Sequence, residues 1–68
     1  MFPNLNAELA RENLGANNIA QVIGKDLRTA KNKLNGTTEF TLMEIFAIRD
    51  NLFPKLGLEY LFRRSTEK

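Results

Sequence analysis

The sequence contains no cysteine and no histidine. Disulfides are therefore excluded, and a zinc site is not expected, because Asp and Glu alone rarely build one. The lack of cysteine fits a reducing compartment. Long apolar runs are missing too. None approaches the roughly 18 residues of a membrane span, and the opening "MFPNLNAEL" has no signal-peptide pattern. The expectation is a soluble, cytoplasmic protein without membrane contact. There are no repeats and no low-complexity segment. Nucleophile–base constellations, glycine-rich phosphate loops and paired-carboxylate sites are also absent. Catalysis is not expected, nor is a cofactor, a metal or a small-molecule ligand. Glu8 and Glu12 share a helix face, but Arg11 lies beside them and solvation explains all three.

What remains is 68 residues, enough for one domain. A chain this short buries only roughly 60% of its unfolded surface, so its stability comes from helix packing or from a partner subunit. The net charge is +2, but its distribution is uneven. Residues 1–24 sum to −1, residues 25–38 to +3, and residues 39–68 to 0. The basic excess thus sits in the segment 24–36, "GKDLRTAKNKLNG". A local basic stripe matters more to an anionic partner than the overall balance does.

Punctuation along the chain predicts five short helices and no strand. The first follows Pro3, with Asn4 as N-cap, and runs to about Glu12. Leu5 and Leu9 mark its buried face, with the stem of Glu12 beside them, and Asn13 suits the left-handed conformation that ends a helix. The second covers about Ala16 to Ile23, capped by Gly15 or Asn17 and closed by Gly24. The third begins after Asp26, whose carboxylate suits an N-cap, and ends before Gly36. Residues 37–40 form a loop. In the fourth, "TLME" at 41–44 is a capping box, with Phe40 and Ile45 placed as a hydrophobic staple. Leu42, Ile45, Phe46 and Leu52 repeat at helical spacing, Ile48 is close by, and Pro54 stops the helix. The last runs from about Leu58 to Phe62, and the tail over 63–68 is polar. The expected fold is all-α, a compact five-helix bundle over 1–62.

The third helix is unusually polar. On a wheel, Leu34 and Ala30 lie within about 60° of Leu27 and form a thin apolar strip. Lys31, Asn35, Arg28 and Asn32 follow at about 40°, 80°, 100° and 140°, a continuous face of donors. Lys33, at about 240°, falls off that face. Most charged faces are simply solvated. This one pairs Arg and Lys with Asn, donors suited to guanine edges, phosphates and adenine edges. It also follows another helix across a tight glycine turn, the geometry that lets one short helix enter a major groove while its predecessor braces it.

The segment 19–36, "IAQVIGKDLRTAKNKLNG", resembles the helix-turn-helix of the lambda-repressor-like class, the Cro and xenobiotic-response-element group. Ala20 matches the small residue where the two motif helices cross, and Gly24 the turn glycine. Ala30 matches the apolar residue that packs the recognition helix on its neighbour, and "LNG" at 34–36 the close of that helix. "EFTLMEIFAIRDNLFP" and "LEYLF" resemble the helices that follow, so the likeness runs from Asn4 to Phe62. The sequence departs from the pattern at Ala16, where many members carry Gln, and at Gly15, where many carry Thr. It departs again at Lys33, where many carry a bulky apolar residue.

The resemblance implies a sequence-specific double-stranded DNA-binding transcriptional regulator, Cro- or repressor-like and of phage or prophage type, with a motif over about 16–36. A protein-binding adaptor or anti-repressor that keeps the fold is the alternative. Resemblance and wheel together make Leu27, Arg28, Lys31 and Asn32 the base-reading candidates, with Leu27 either at a thymine methyl or in the core. Phosphate contacts fall to Asn17, Asn18, Lys25, Asn35, Thr37 and Thr38; for Asn17 the alternative is capping, and for the two threonines ordinary loop chemistry. Useful specificity usually needs two copies on a palindromic site, so a homodimer is expected. Phe53, Leu58, Tyr60 and Phe62 are its interface candidates, unless they close the bundle from inside.

Overall fold

A computed structural model describes residues 2–64, so most of the polar tail read over 63–68 lies outside the described residues. The first helix, α1 (Pro3–Arg11), starts one residue earlier than the sequence suggested. Proline fits the first helical position because it has a pre-set φ and no N–H to satisfy. Phe2 is therefore the N-cap residue, and Asn4 is not. Asn4 lies inside the first turn and donates its Nδ2 to the Tyr60 carbonyl at 2.8 Å, which ties α1 to the end of the chain. Leu5 and Leu9 are buried as expected, while Glu12 stays exposed. Asn13 ends the helix with φ 61°, and the Leu14 amide closes on the Leu9 carbonyl at 2.7 Å.

Helix α2 (Ala16–Ile23) is capped by Gly15, whose amide donates to Asn18 Oδ1 at 2.9 Å. Ile19 and Ala20 are buried. Gly24 takes φ 71°, and its amide and that of Lys25 both close on the Ala20 carbonyl. Nothing lies within 4 Å of where a Cβ at Gly24 would sit, so the glycine is required by conformation and not by space. A Gly24→Ala variant is thus expected to lose about 1 kcal/mol from left-handed strain, or roughly 4–8 °C in thermal midpoint. Gly24→Asn should lose less, because asparagine tolerates that region. Equal melting of the alanine variant and the parent would contradict the strain.

Helix α3 (Leu27–Leu34) begins at Asp26, whose Oδ1 accepts the Thr29 amide at 2.9 Å. Helix α4 (Leu42–Leu52) begins at the predicted capping box. Thr41 Oγ1 accepts the Glu44 amide at 3.2 Å, and Glu44 Oε1 accepts the Thr41 amide at 2.9 Å. Pro54 follows the Phe53 cap, and α5 (Leu58–Leu61) is the last helix among the described residues. The described residues are all-α: five helices, no strand.

The α4 face differs from the sequence reading. Leu42 and Phe46 point outward, 65% and 40% exposed, whereas Glu44 and Ile48 point inward. Ile45 and Leu52 flank the buried side. This helix carries large apolar residues all round, so hydrophobic spacing alone does not choose its inner face. An ion pair chooses it. Lys33 of α3 is 8% exposed and places its Nζ 3.0 Å from Glu44 Oε1 and 3.0 Å from the Glu39 carbonyl oxygen.

Helix α2 packs against both α3 and α4, and α5 packs against α1 and α4. The core between them is built on Leu5, Ile19, Ile48 and Leu61. Phe2, Phe40 and Phe62 close one end as a mutual aromatic trio with centroids 5.4, 5.6 and 5.8 Å apart, in tilted and edge-on pairs. Such pairs contribute about 0.5–1.5 kcal/mol beyond the area they bury.

Candidate nucleic-acid interface

The face of interest is held from behind. Ala30 of α3 is fully buried, Leu34 packs against the core, and Lys33 is anchored by Glu44. With the α3 positions near 240–340° on the wheel thus fixed inward, the positions near 40–140° must face out. Arg28, Lys31 and Asn35 are exposed and Asn32 is half-buried. Leu27 is 44% exposed, which settles its place: it borders the outward face and does not belong to the core.

The electrostatics follow from the same arrangement. Of the four bases in 25–38, only Lys33 is neutralised by an acid among the described residues. Lys25, Arg28 and Lys31 stay exposed. The lone acid of that segment, Asp26, is committed to the cap. Hydrogen bonds from Thr29 hold its carboxyl below the ordinary value of 3.8. The helix is thus basic on one side and pinned by a charge pair on the other.

The phosphate candidates fall into two groups. Lys25 is exposed in the turn, and its charge is near enough to Glu44 to help lower that carboxyl. Asn35, Thr37 and Thr38 are exposed just beyond α3. There the loop folds back, with the Thr37 and Thr38 amides on the Asn32 carbonyl at 2.9 and 3.2 Å. Asn35 Oδ1 accepts both the Thr37 amide, at 3.1 Å, and the Thr37 hydroxyl, at 2.7 Å. The Asn35 amide nitrogen and the Thr38 hydroxyl have no hydrogen-bond partner among the described residues. Asn17 and Asn18 sit apart, at the far end of α2, roughly 9–11 Å of helix from the Gly24 turn. Asn17 is exposed, and Asn18 spends its carbonyl oxygen on the Gly15 cap. No acid lies in the first turn of α2, so the positive end of its dipole is uncompensated there.

Sequence reasoning missed Glu44 as the anchor of this face. The available signal was Lys33, a lysine on the docking side of the wheel, which demands an acid partner once buried. The expected interface set is also redistributed. Phe53 is buried in the core and Phe62 belongs to the aromatic trio. Tyr60 is 39% exposed and donates its hydroxyl to Glu8 Oε2 at 2.7 Å. Leu58, half-buried, lines a surface groove together with one side of Phe62. These side chains mainly close the bundle, because a small chain needs them there.

Three carboxyls in this framework are held below their ordinary values. For Glu44, burial pushes upward, and the Thr41 amide and Lys33 together outweigh it. For Glu8 the causes are Tyr60 first and Arg11 second. Asp26 is the third. A carboxyl whose pKa is lower in the folded state stabilises the fold above its unfolded pKa. That contribution is lost as pH falls through the folded value. The thermal midpoint should therefore be flat near neutrality and fall below the ordinary values of 4.5 for the glutamates and 3.8 for Asp26. Melting curves across acid pH check this. A midpoint that rose on acidification would contradict the three assignments.

Comparison of the chain with protein-family models, with curated proteins and with solved structures finds no match.

Proposed function

We propose that the chain is a sequence-specific double-stranded DNA-binding regulator, a Cro- or repressor-like helix-turn-helix protein of the lambda-repressor-like class. In this reading α2 braces α3 across the Gly24 turn, and α3 lies in the major groove. One observation carries it. A chain with little core material anchors α3 through Ala30, Leu34 and the Lys33–Glu44 pair, and turns Arg28, Lys31, Asn32 and Asn35 outward. Arg28 is the guanine-reading residue, Asn32 pairs with adenine or a phosphate, and Leu27 touches a thymine methyl. Lys25, Asn35, Thr37 and Thr38 position the backbone, with Asn17 and Asn18 at a second phosphate. Two copies on a two-fold site supply the specificity that one small domain lacks.

The alternative, an adaptor that binds protein without reading DNA, draws on the apolar outward face of α4. Selection of binding sites from random duplexes separates the two. The regulator reading expects enrichment of a palindromic consensus. Retention of duplexes at low salt without enrichment leaves a nonspecific DNA binder, and no retention at all leaves the adaptor.

A further inference from the structure

A single carboxylate oxygen joins α3, the loop after it and α4. Glu44 Oε1 accepts the Lys33 ammonium at 3.0 Å and the Thr41 amide at 2.9 Å. The same ammonium donates to the Glu39 carbonyl at 3.0 Å. Lys33 and Glu44 are both only 8% exposed, so the node sits inside the fold. The loop it closes carries Thr37 and Thr38, whose amides fold back on the Asn32 carbonyl. Stability alone does not call for charges at this place. A buried ion pair is often no more stabilising than apolar side chains of similar volume, because desolvation offsets the attraction. Orientation does call for a third anchor. Ala30 and Leu34 span only about 40° of the α3 wheel, and Lys33 widens the anchored arc to about 100°. Apolar contacts are non-directional, whereas an ammonium between two fixed acceptors is held in direction as well as in distance.

We infer that Lys33 and Glu44 are specificity-determining positioning residues, whose pair fixes the rotation of α3 and the path of the loop after it together. The inference rests on the DNA-reading role proposed for α3. Neither side chain contacts the duplex; both act through the residues they hold. A group that reads a base edge must stay within about 0.5 Å and 10–20° of its productive geometry. Attraction to phosphates is far less demanding, because it follows charge and not alignment. Loosening the node therefore leaves Lys25, Arg28 and Lys31 exposed and attractive to any duplex, while Arg28 and Asn32 lose their register on the bases. Discrimination falls and general affinity does not.

Lys33→Met combined with Glu44→Gln tests it, read as the ratio of affinities for a selected and a random duplex. The double variant removes one base and one acid, so the net charge stays +2. Glutamine keeps an acceptor for the Thr41 amide. Below its melting transition the variant is expected to keep the helical spectrum, the affinity for random duplexes and the salt dependence. Its affinity for the duplex selected with the parent should fall roughly 10- to 100-fold, the loss expected when one base contact is no longer aligned. A pair with a merely structural role would leave that ratio unchanged in the folded protein. Lys33→Leu with Glu44→Gln serves the same measurement if the methionine variant melts below the binding temperature. A ratio equal to that of the parent in either folded variant overturns the inference and leaves the DNA-reading role standing. Loss of folding in both variants assigns the pair to stability and overturns it too. A parent that enriches no sequence removes the DNA-reading role and the inference with it.

Discussion

Glu44→Ala is expected to lower the thermal midpoint by roughly 12–24 °C, which corresponds to about 3 kcal/mol for a domain of this size. The loss has two parts. The Lys33 ammonium stays mostly buried with only the Glu39 carbonyl to accept from it. The Thr41 amide also loses the acceptor that completes the α4 cap. A charge left unpaired in a poorly solvated site costs far more than the intact pair contributes, because desolvation is no longer offset. Domains of this length rarely have more than about 3–5 kcal/mol in total, so the variant is near the edge of folding at growth temperature. The double variant Lys33→Met with Glu44→Gln separates the pair from the cap. Glutamine still accepts the Thr41 amide, and methionine fills the place of the lysine stem. Most of the lost stability should return, with a coupling of about 2 kcal/mol in the double-mutant cycle. Additive losses would mean that the two residues do not act as a pair.

That pair also marks where the fold was legible in the sequence and where it was not. Gly15, Gly24, Asp26, Thr41 and Pro54 each bound a helix through backbone chemistry that a residue type nearly dictates. The bounds of α2 and α3 could therefore be read directly. Asn4 misled because its side chain suits a cap, yet Pro3 before it already occupies the first helical position. The inner face of α4 was not legible from spacing, because Leu42, Ile45, Phe46 and Ile48 offer apolar groups in several directions. A contact eleven residues away in the chain, from Lys33 to Glu44, decides which direction is inward. Phe53 and Phe62, interface candidates unless they close the bundle from inside, pack inward for a related reason. In a chain this short, large aromatics go first to the core.

The candidate site was more legible, because a thin docking strip leaves little doubt about the opposite face. Ala30 and Leu34 fix the rotation of α3, and the structure adds Lys33 as a third anchor. What spacing left open was the border residue. Leu27 lies where strip and face meet, and the structure leaves it 44% exposed.

Arg28→Ala is expected to weaken binding to a selected duplex by roughly 10- to 100-fold while changing affinity for random duplexes little, matching the loss of one bidentate guanine contact. Arg28 is exposed and has no ion-pair partner among the described residues, so the folded state does not depend on it. The thermal midpoint should stay within the small change usual for a surface substitution, and any loss of binding then belongs to the contact. Lys25→Ala provides the contrast. It should weaken both duplexes alike and flatten the dependence of log affinity on log salt by about one, as the loss of one phosphate contact does. Titrations of both variants on both duplexes, at two salt concentrations, resolve the roles. Equal losses on both duplexes for Arg28→Ala would reduce α3 to an electrostatic contact. An unchanged affinity would remove α3 as the reading helix and leave its polar face as a solvated surface.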